Sequence, residues 1–408
     1  MNEKKPAKRR WLKVVEGIAI ALIAVIVIAV AAVGVMWGDE IASLMSIREV
    51  RARNDAHKDG AVYTMHVRGG FYLDDFVAQG GVASDAELIS FVTGKLTKGL
   101  VDAGFDAPDI GCSSFTAQTE DGDALFARNY DFDKTNTCIV FTEANEGRHA
   151  SISTVDLQFL GIDSDTGLNG LMDKVTCLVS TYAPLDGVND AGVACGIYMT
   201  YQDADTVATD QNTDKPDFTS TTLLRLILDY ADDLDEAVEI ASAYDLHDSA
   251  NTSYHYMVAD ASGRSAILEW VGDTDATDND GAQRQLTVTY SDDDAHIGEA
   301  EAASDRQWIT NFIIQPGYYD DSPADEKKGD DRYERIGQEL SAVGGVVADE
   351  QAAMDILAIV GRRTWNNDDG NGCTVHSAVY NLTDRSVLWV TNENYDDPTA
   401  VFEFTVGD

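Results

Sequence analysis

The grouping of strand-like and helical segments is the feature of this sequence that most constrains its fold. Strand-like runs follow one another across short turns, and apolar residues at helical spacing occur in separate blocks. Single strands do not alternate regularly with single helices, as they would in a Rossmann-type parallel sheet. We therefore predict an α+β fold in which antiparallel sheets and helices form layers.

The individual elements follow from the same patterns. Strands are predicted at 62–70, 113–118, 123–128, 137–142, 175–181, 192–199, 254–260, 265–270, 373–380, 386–391 and 401–406. Helices are predicted at 84–103, 221–231, 234–243, 332–342 and 349–360. The polar residues 39–60 predict a helical stalk.

An uncharged stretch of 22 residues, from Gly17 to Gly38, follows a basic N-terminal segment. As a helix it would be about 33 Å long, enough to cross the apolar core of a bilayer. We therefore predict a cytoplasmic basic tail over 1–16, a transmembrane helix over 17–38, and a single-pass membrane protein whose remaining chain is extracytoplasmic, at the cell surface. The alternative interpretation is a cleaved signal peptide, whose apolar region is usually only about 7–15 residues long.

The chain is strongly acidic, which limits its partners. It has 71 Asp and Glu residues against 29 Lys and Arg residues, a formal net charge of −42. Such a charge repels the phosphate backbone, so nucleic acid is excluded as a partner.

The cysteines and histidines give no sign of a metal site. The five cysteines form no Cys-x-x-Cys pair, and the seven histidines have no metal-binding spacing. We therefore predict no metal and no cofactor. Because their number is odd, one cysteine is expected to be a reactive thiol or to pair with another molecule, and the alternative is that all five are inert buried side chains.

The segment around Cys112 predicts a hairpin with chemical groups at its open end. Strand 113–118 leads into the turn Asp121-Gly122, and strand 123–128 returns. Cys112 then faces the stretch from Arg128 to Asp131. A guanidinium near the sulfur lowers the pKa of the thiol and favours the nucleophilic thiolate, and a nearby carboxylate can hold an amine. The alternative is a structural hairpin with an inert buried cysteine.

This segment resembles a known family. Cys112, Asp121-Gly122 nine residues later, and Arg-Asn-Tyr-Asp at 128–131 are similar to the choloylglycine hydrolase family of N-terminal-nucleophile hydrolases. These linear amide C–N hydrolases include bile salt hydrolases, penicillin V acylases and, more remotely, N-acylethanolamine amidases and acid ceramidase. Further segments that resemble the family follow in order at 186–193, 255–269, 308–311, 331–333 and 373–391. The resemblance covers about 112–408.

The resemblance implies a four-layer αββα sandwich and a set of catalytic residues. Cys112 would be the nucleophile through its thiol and the base through its own α-amine, whose ordinary pKa of about 7.7–8.0 suits proton transfer at neutral pH. Arg128 would stabilise the thiolate, and Asp131 would hold the α-amine. The Asn311 amide would donate to the oxyanion, and Arg332 would support the site electrostatically.

The resemblance also implies two substrate-binding positions. Asn189 would either shape the turn in which it lies or contribute to catalysis. Met199 stands where the family has a second asparagine, so only its backbone N–H could donate there, and this weakens the case for bile salt specificity.

The position of Cys112 requires a maturation step. Because 111 residues precede it, a free α-amine requires cleavage of the Gly111–Cys112 bond. An N→S acyl shift at Gly111 followed by thioester hydrolysis is the expected route. Residues 39–111 would then be a stalk and pro-segment, and 112–408 the hydrolase domain.

The sequence thus predicts an extracytoplasmic hydrolase of linear, non-peptide amide bonds that uses an autoproteolytically exposed cysteine and a thioester intermediate. Its partner would be a small N-acyl amide. The alternatives are a bile salt or penicillin V amidase, an acyltransferase, or an inactive membrane-anchored binding module of the same fold. A Cys–His dyad of Cys112 with His255 or His376 is the competing catalytic assignment.

Overall fold

The structure is a computed structural model that describes residues 34, 36–100, 111–201, 207–272, 281–292, 306–315, 318, 327–365 and 372–407. Two large β-sheets lie at the centre of this part of the chain, and helices pack against their outer faces.

The larger sheet has nine strands in the described residues. In spatial order they are β1 (Arg48–Arg51), β2 (Val62–Val67), β5 (Thr137–Thr142), β6 (Ser151–Asp156), β7 (Asp186–Asn189), β8 (Ala194–Met199), β11 (Tyr254–Ala259), β12 (Ser265–Val271) and β13 (Gln285–Tyr290). Strands β2 and β5 run parallel, and the other neighbours run antiparallel.

The smaller sheet has seven strands in the same described ranges. Six follow in the order β14 (Trp308–Ile309), β3 (Gly111–Thr119), β4 (Ala124–Asp133), β16 (Gly372–Asn381), β17 (Ser386–Thr391) and β18 (Val401–Thr405). The seventh, β15 (Val346–Val347), pairs in parallel with β3. Strands β9 (Asp217–Thr219) and β10 (Asp245–His247) form a separate parallel pair.

The α-helices are placed between these strands. They are α1 (Gly38–Ser46), α2 (Leu73–Ala78), α3 (Asp85–Lys95), α4 (Leu171–Cys177), α5 (Ser220–Tyr230), α6 (Leu234–Ala243), α7 (Asp330–Ala342), α8 (Glu350–Ile359) and α9 (Arg362–Trp365). Short 3-10 segments occur at Leu157–Leu160, Leu178–Tyr182, Ser249–Asn251 and Gly281–Gln283.

The layers stack in the order helix, sheet, sheet, helix. Helix α5 packs on β7 and β8 of the larger sheet, and α8 packs on β4 and β16 of the smaller one. The inner faces of the sheets meet through side chains such as Arg128 of β4 and Asp186 of β7, whose Nε and Oδ2 atoms are 2.7 Å apart. The predicted α+β class, with its mixture of helices and sheets, is confirmed.

The hairpin β3–β4 places the candidate nucleophile. Gly122 adopts a φ of 98°, a left-handed conformation that glycine accepts without steric cost, and this allows the tight turn after Asp121. The resulting register sets Cys112 opposite Tyr130 and Gly111 opposite Asp131. The turn chemistry and the alternating strands read from the sequence therefore produce the expected hairpin.

The strand predicted at 175–181 is wrong, because this segment is the end of α4 and a 3-10 segment. Its residues Val175 and Cys177 to Tyr182 are buried on all sides, and helices α1, α3 and α5 pack around the 3-10 segment. A short run buried on every side lacks the periodicity that separates a strand from a helix, so the β-branched residues led to the wrong prediction.

The prediction of a single-pass membrane protein is contradicted. No helix in the described part of the chain is long and apolar enough to cross a membrane. Of the predicted span 17–38, only residues 34 and 36–38 are described, and the predicted tail 1–16 lies outside the described residues.

The segment before Cys112 belongs to the folded body rather than forming a stalk. Residues predicted as a helical stalk form α1 and β1, and β1 pairs with β2 at the edge of the larger sheet. Strand β2 pairs along its length with β5, and Met65 on β2 is fully buried. The helix predicted over 84–103 is α3, and residues 101–103 lie outside the described residues.

Replacing Met65 with alanine therefore tests whether this segment stabilises the whole fold. We expect Met65→Ala to lower the free energy of unfolding by about 2–5 kcal/mol, because it leaves a cavity in the core. Val50→Ala on the neighbouring β1, where the side chain is 38% exposed, is the control and should change it by less than about 0.5 kcal/mol. Urea denaturation of the two variants gives the comparison. Equal stability of both variants would show that β2 contributes nothing to the core.

Candidate active site

Cys112 lies at the start of β3, buried between the two sheets. Arg128 Nη2 donates to the Cys112 Sγ atom at 3.6 Å. Strand β4 places Arg128 on the same face of the hairpin as Cys112. Burial raises the pKa of the Cys112 thiol to about 11, although the positive charge of Arg128 opposes the shift. The thiol is therefore protonated at neutral pH and requires a base to become a nucleophile.

Arg128 is itself held from the opposite sheet. Its guanidinium is fully buried, forms an ion pair with Asp186 and lies 4.4 Å from the ring centre of Tyr198. Burial raises the pKa of Asp186, but the charge and hydrogen bond of His376 and the charge of Arg128 more than offset this and lower it to about 2. Asp186 is thus a permanent anion that fixes the cation beside the sulfur.

A second arginine binds the backbone of the nucleophile. Arg332, near the start of α7, donates through Nη1 to the Cys112 carbonyl oxygen at 2.8 Å and to Asp131 Oδ2 at 3.0 Å. Its Nη2 donates to Asn311 Oδ1 at 2.8 Å. The other Asp131 oxygen accepts from the Thr374 hydroxyl at 2.6 Å. These contacts form one buried network around Cys112.

Asn311 faces the nucleophile with its oxygen. Oδ1 accepts from the Cys112 backbone N–H at 3.0 Å, and Nδ2 donates to the Met199 carbonyl oxygen at 2.7 Å. Since Oδ1 meets two donors and Nδ2 meets a carbonyl, the neighbours determine which way the amide is oriented. The NH2 group that was expected to donate to an oxyanion is directed here at a backbone carbonyl.

Gly111, on the other side of the predicted cleavage bond, lies against Asp131. A Cβ atom built on Gly111 would be 3.2 Å from Asp131 Oδ2, which is closer than ordinary van der Waals contact. The Asp131 carboxylate thus lies close to the peptide bond expected to be cut. Residues 101–110 lie outside the described residues.

The two predicted substrate-binding residues differ in position. Met199 lines the cavity beside Cys112. Asn189 donates to the Ala231 carbonyl oxygen at 2.8 Å and accepts from the N–H groups of Ala191 and Val193. These bonds shape the β7–β8 turn, and Asn189 is not among the residues that line the cavity.

The cavity next to Cys112 is mainly apolar. It offers about 50 Å³ of space for the centres of water-sized groups. Its wall is formed by Asp85, Leu88, Cys112, Arg128, Tyr130, Phe159, Ala183, Leu185, Ile197, Met199, Ser220, Thr221, Ser249, Ala250 and Tyr254. A substrate group bound here would be packed against the thiol.

Neither histidine of the competing dyad contacts the sulfur through the hydrogen bonds of the described residues. His255 lies between Glu269 Oε1 at 2.9 Å and the Thr310 carbonyl oxygen at 3.0 Å. His376 Nε2 lies 2.8 Å from Asp186 Oδ2. These contacts favour a structural role for both rings over a role as the base for Cys112.

Metal binding has no support in the described part of the chain, where no group of three or more His, Cys, Asp and Glu side chains could hold an ion. The site consists of a thiol, two guanidiniums, carboxylates and amides. These groups can perform acyl transfer through a covalent intermediate.

Sequence reasoning missed the role of Asp186 and Thr374. Asp186 lies in the segment 186–193 that resembles the family, but no role follows for it from the sequence, because its partner Arg128 lies on a different sheet. Thr374 meets Asp131 because β16 pairs with β4, a contact between residues that are far apart in the sequence. Strand pairing of this kind has no local signal in the sequence.

Residues 112–274 match the family model described as linear amide C-N hydrolases, choloylglycine hydrolase family. The family resemblance predicted from the motifs is thereby confirmed. No curated protein matches the chain significantly.

The chain is also similar to several solved structures, all at low sequence identity. A mutant conjugated bile acid hydrolase from Clostridium perfringens is 14% identical with a TM-score of 0.47, over 72% of this chain and 92% of that one. Penicillin V acylase from Agrobacterium tumefaciens is 16% identical with a TM-score of 0.42, over 69% and 83%. The N-acylethanolamine-hydrolyzing acid amidase ortholog of Caenorhabditis elegans is 16% identical with a TM-score of 0.40, over 67% and 93%.

Removing the guanidinium beside the sulfur should raise the thiol pKa further. We expect Arg128→Gln to slow alkylation of Cys112 at neutral pH, while Arg128→Lys, which keeps the charge, should slow it less. Mass spectrometry of the peptide containing Cys112 measures the rate. Buried Cys195 should remain unreactive in the same samples, which shows that the variant is folded. Alkylation of Cys112 at the wild-type rate in Arg128→Gln would remove Arg128 from the site.

Two substitutions of Asn311 separate its oxygen from its NH2 group. Asn311→Ala should lower kcat by roughly 100-fold or more, the loss typical of one polar group in such a site. Asn311→Asp keeps an oxygen that can accept from Cys112 and Arg332, so we expect it to retain at least about tenfold more activity than the alanine variant. Equal losses in steady-state kinetics would instead assign the function to the NH2 group.

Proposed function

We propose that this chain hydrolyses linear, non-peptide amide bonds, with Cys112 as a nucleophile that becomes N-terminal when the Gly111–Cys112 bond is cut. Amide hydrolysis is supported by the family match over 112–274. The observation that carries the proposal is the position of the Cys112 thiol, in contact with Arg128 and at the wall of an apolar cavity.

The uncut chain lacks a suitable base at the thiol in the hydrogen bonds of the described residues. The Cys112 nitrogen is there an amide that donates to Asn311, and an amide nitrogen accepts no proton at neutral pH. Cleavage would convert the same atom into an amine with an ordinary pKa of about 7.7–8.0. Arg332 and Asp131 form an ion pair beside this residue, so their opposite effects on the protonation of the amine offset each other.

The reaction then follows in two stages. The α-amine takes the thiol proton as the sulfur attacks the substrate carbonyl, and Arg128 stabilises the developing thiolate charge. The tetrahedral intermediate collapses, the amine leaves with the proton, and a thioester on Cys112 remains. Water attacks the thioester with the α-amine as base, which releases the carboxylic acid and restores the thiol.

Maturation would use the same thiol. This step occurs once and can be slow, so the small thiolate fraction of Cys112 suffices for it. The thiolate attacks the Gly111 carbonyl, the Cys112 nitrogen takes up a proton and leaves as the amine, and water hydrolyses the resulting thioester. Gly111 offers no side chain to obstruct the attack, and Asp131 lies next to it. The pro-segment 39–111 would remain held by the pairing of β2 with β5.

Determining the N-terminus of the mature protein tests this proposal. We expect the larger fragment to begin with Cys-Ser-Ser-Phe and the Cys112→Ala variant to remain one uncut chain. Cys177→Ala removes another buried cysteine and should be cleaved like the wild type. The processed protein should hydrolyse N-acyl amides and carry a transient acyl group on Cys112 in intact mass spectra. An uncut wild-type chain with full activity would refute the α-amine mechanism, and a processed chain without activity would point to a binding module.

A further inference from the structure

The smaller sheet has a β-bulge next to the candidate nucleophile. On β16, Thr374 lies opposite Asp131 of β4. The register then shifts by one residue, because His376 rather than Val375 lies opposite Tyr130. If the register of the following residues continued without the bulge, Val375 would lie opposite Asp131. The extra residue therefore places a hydroxyl-bearing side chain opposite Asp131, where the regular strand would have an apolar one.

The Thr374 hydroxyl has one proton, and its surroundings direct that proton at Asp131. Its Oγ1 atom accepts from the Arg362 backbone N–H at 2.8 Å and donates to Asp131 Oδ1 at 2.6 Å. Since the amide can only donate and an ionised carboxylate can only accept, these roles cannot be reversed. Thr374 is fully buried, so bulk water does not compete for the hydroxyl. Arg332 donates to the other oxygen, Oδ2, at 3.0 Å, and both oxygens of Asp131 are thus fixed.

Asp131 lies beside the residue whose nitrogen would become the base. It is opposite Gly111 in the β3–β4 pair, and its backbone N–H forms a hydrogen bond with the Cys112 thiol. Arg332 Nη1 donates to both Asp131 Oδ2 and the Cys112 carbonyl oxygen. The orientation of the Asp131 carboxylate therefore determines which charge the α-amine would meet after cleavage.

Glu393 holds Thr374 and the start of α9 together. Its Oε2 atom accepts from the backbone N–H groups of Thr374 and Arg363 at 3.0 and 3.1 Å. The Glu393 side chain is 4% exposed, and Gly361 makes room for it, since a Cβ atom there would lie 2.5 Å from Oε1. The carboxylate thus fixes Thr374 relative to the helix that supplies the Arg362 N–H.

The backbone at Glu393 has an unusual conformation, which the contacts around it impose. Asn392 and Glu393 have φ values of 52° and 56°, in the left-handed region that residues with a Cβ atom rarely adopt. The Asn392 N–H donates to the carbonyl oxygen of the bulged Val375 at 2.9 Å. The same turn therefore holds both the bulge and the Glu393 carboxylate. Conformations of this kind persist where several contacts enforce them, and they are concentrated at functional sites.

We infer that Thr374 is a positioning residue, which Glu393 holds in place and whose hydroxyl fixes the Asp131 carboxylate beside Cys112. The inference rests on the proposed amide hydrolysis, in which the Cys112 α-amine is the base. A carboxylate free to turn from Arg332 toward the amine would favour the protonated form, which cannot accept the thiol proton. Among the described residues that line the cavity Thr374 does not occur, so it acts on the chemical step rather than on substrate binding.

Two substitutions of Thr374 separate its hydroxyl from its shape, because valine removes the hydroxyl and serine keeps it. They are tested with p-nitroanilides that carry acetyl to hexadecanoyl groups, and kcat is referred to the amount of chain that begins at Cys112. We expect Thr374→Val to lower kcat by about 10- to 100-fold with KM unchanged within about twofold. Thr374→Ser should restore kcat to within about threefold of the wild type. As a control, Thr142→Val removes a buried hydroxyl that lies 2.7 Å from Ser151 Oγ in the larger sheet, and it should leave kcat and KM unchanged.

A double-mutant cycle tests whether Glu393 acts through Thr374. Glu393→Gln replaces one accepting oxygen with an NH2 group that faces backbone N–H donors, so we expect kcat to fall by about tenfold. In the double variant, kcat should equal that of Thr374→Val within about twofold, because the hydroxyl that Glu393 positions is already absent. A loss equal to the product of the two single losses would overturn the role assigned to Glu393.

The outcomes separate this inference from the proposed function. Wild-type kcat in Thr374→Val, or an equal loss in Thr374→Ser, would overturn the inference while leaving amide hydrolysis intact, and so would a loss confined to KM. A Thr374→Val chain that folds by urea denaturation but stays uncut, while Thr374→Ser is cut, would support it, because Asp131 lies next to Gly111. A processed wild-type chain that hydrolyses none of the amides would refute the proposed function, and the inference with it.

Discussion

The buried ion pair between Arg128 and Asp186 joins the two sheets at the point where the candidate nucleophile lies. Both side chains are excluded from solvent, so each charge depends on the other for its stability. Removal of one partner from such a pair typically costs about 3–5 kcal/mol. Asp186 of the larger sheet also contacts His376 on β16, the strand beside β4 in the smaller sheet. This contact adds a second link between the sheets. The position of the guanidinium beside Cys112 is therefore a consequence of how the sheets pack.

The charges around Cys112 are balanced, which explains why the thiol remains protonated. Arg128 is paired with Asp186, and Arg332 is paired with Asp131. Two neutralised guanidiniums oppose the effect of burial without overcoming it, and the pKa of the thiol stays at about 11. In the proposed mechanism the missing component is a base, and cleavage of one peptide bond supplies it on the same residue. The site can thus be assembled in the uncut chain, and in the proposed mechanism amide hydrolysis begins only after cleavage has produced the α-amine.

The sequence predicted correctly those parts of the fold and site that local sequence patterns specify. The hairpin β3–β4 could be predicted because Asp121-Gly122 is a strong turn signal between alternating strands, and this alone brought Cys112 near Arg128 and Asp131. Asn311 and Arg332 lie about 200 residues further along the chain, so only the family resemblance brought them to the site.

The failures have physical causes as well. The helical segment at 175–181 is buried on every side, so its apolar residues carry no period that distinguishes it from a strand. The length and hydropathy of 17–38 predicted a membrane helix. None of the helices in the described residues is long and apolar enough to cross a membrane. Polar composition at 39–60 indicated a stalk, but pairing of β1 with β2 depends on contacts outside that segment. Composition describes a segment alone, whereas its structure here is determined by what it packs against.

The segment before Cys112 links folding to the chemistry proposed for the site. Its strand β2 pairs with β5 within the larger sheet, and its helix α3 supplies Leu88 to the cavity wall. Cleavage between Gly111 and Cys112 would break one covalent bond but none of these contacts. The cut would therefore change the protonation chemistry of one nitrogen while the sheet and the cavity keep their shape. If the proposed cleavage occurs, the segment before Cys112 would remain part of the cavity wall, because Asp85 and Leu88 line the cavity in the uncut chain.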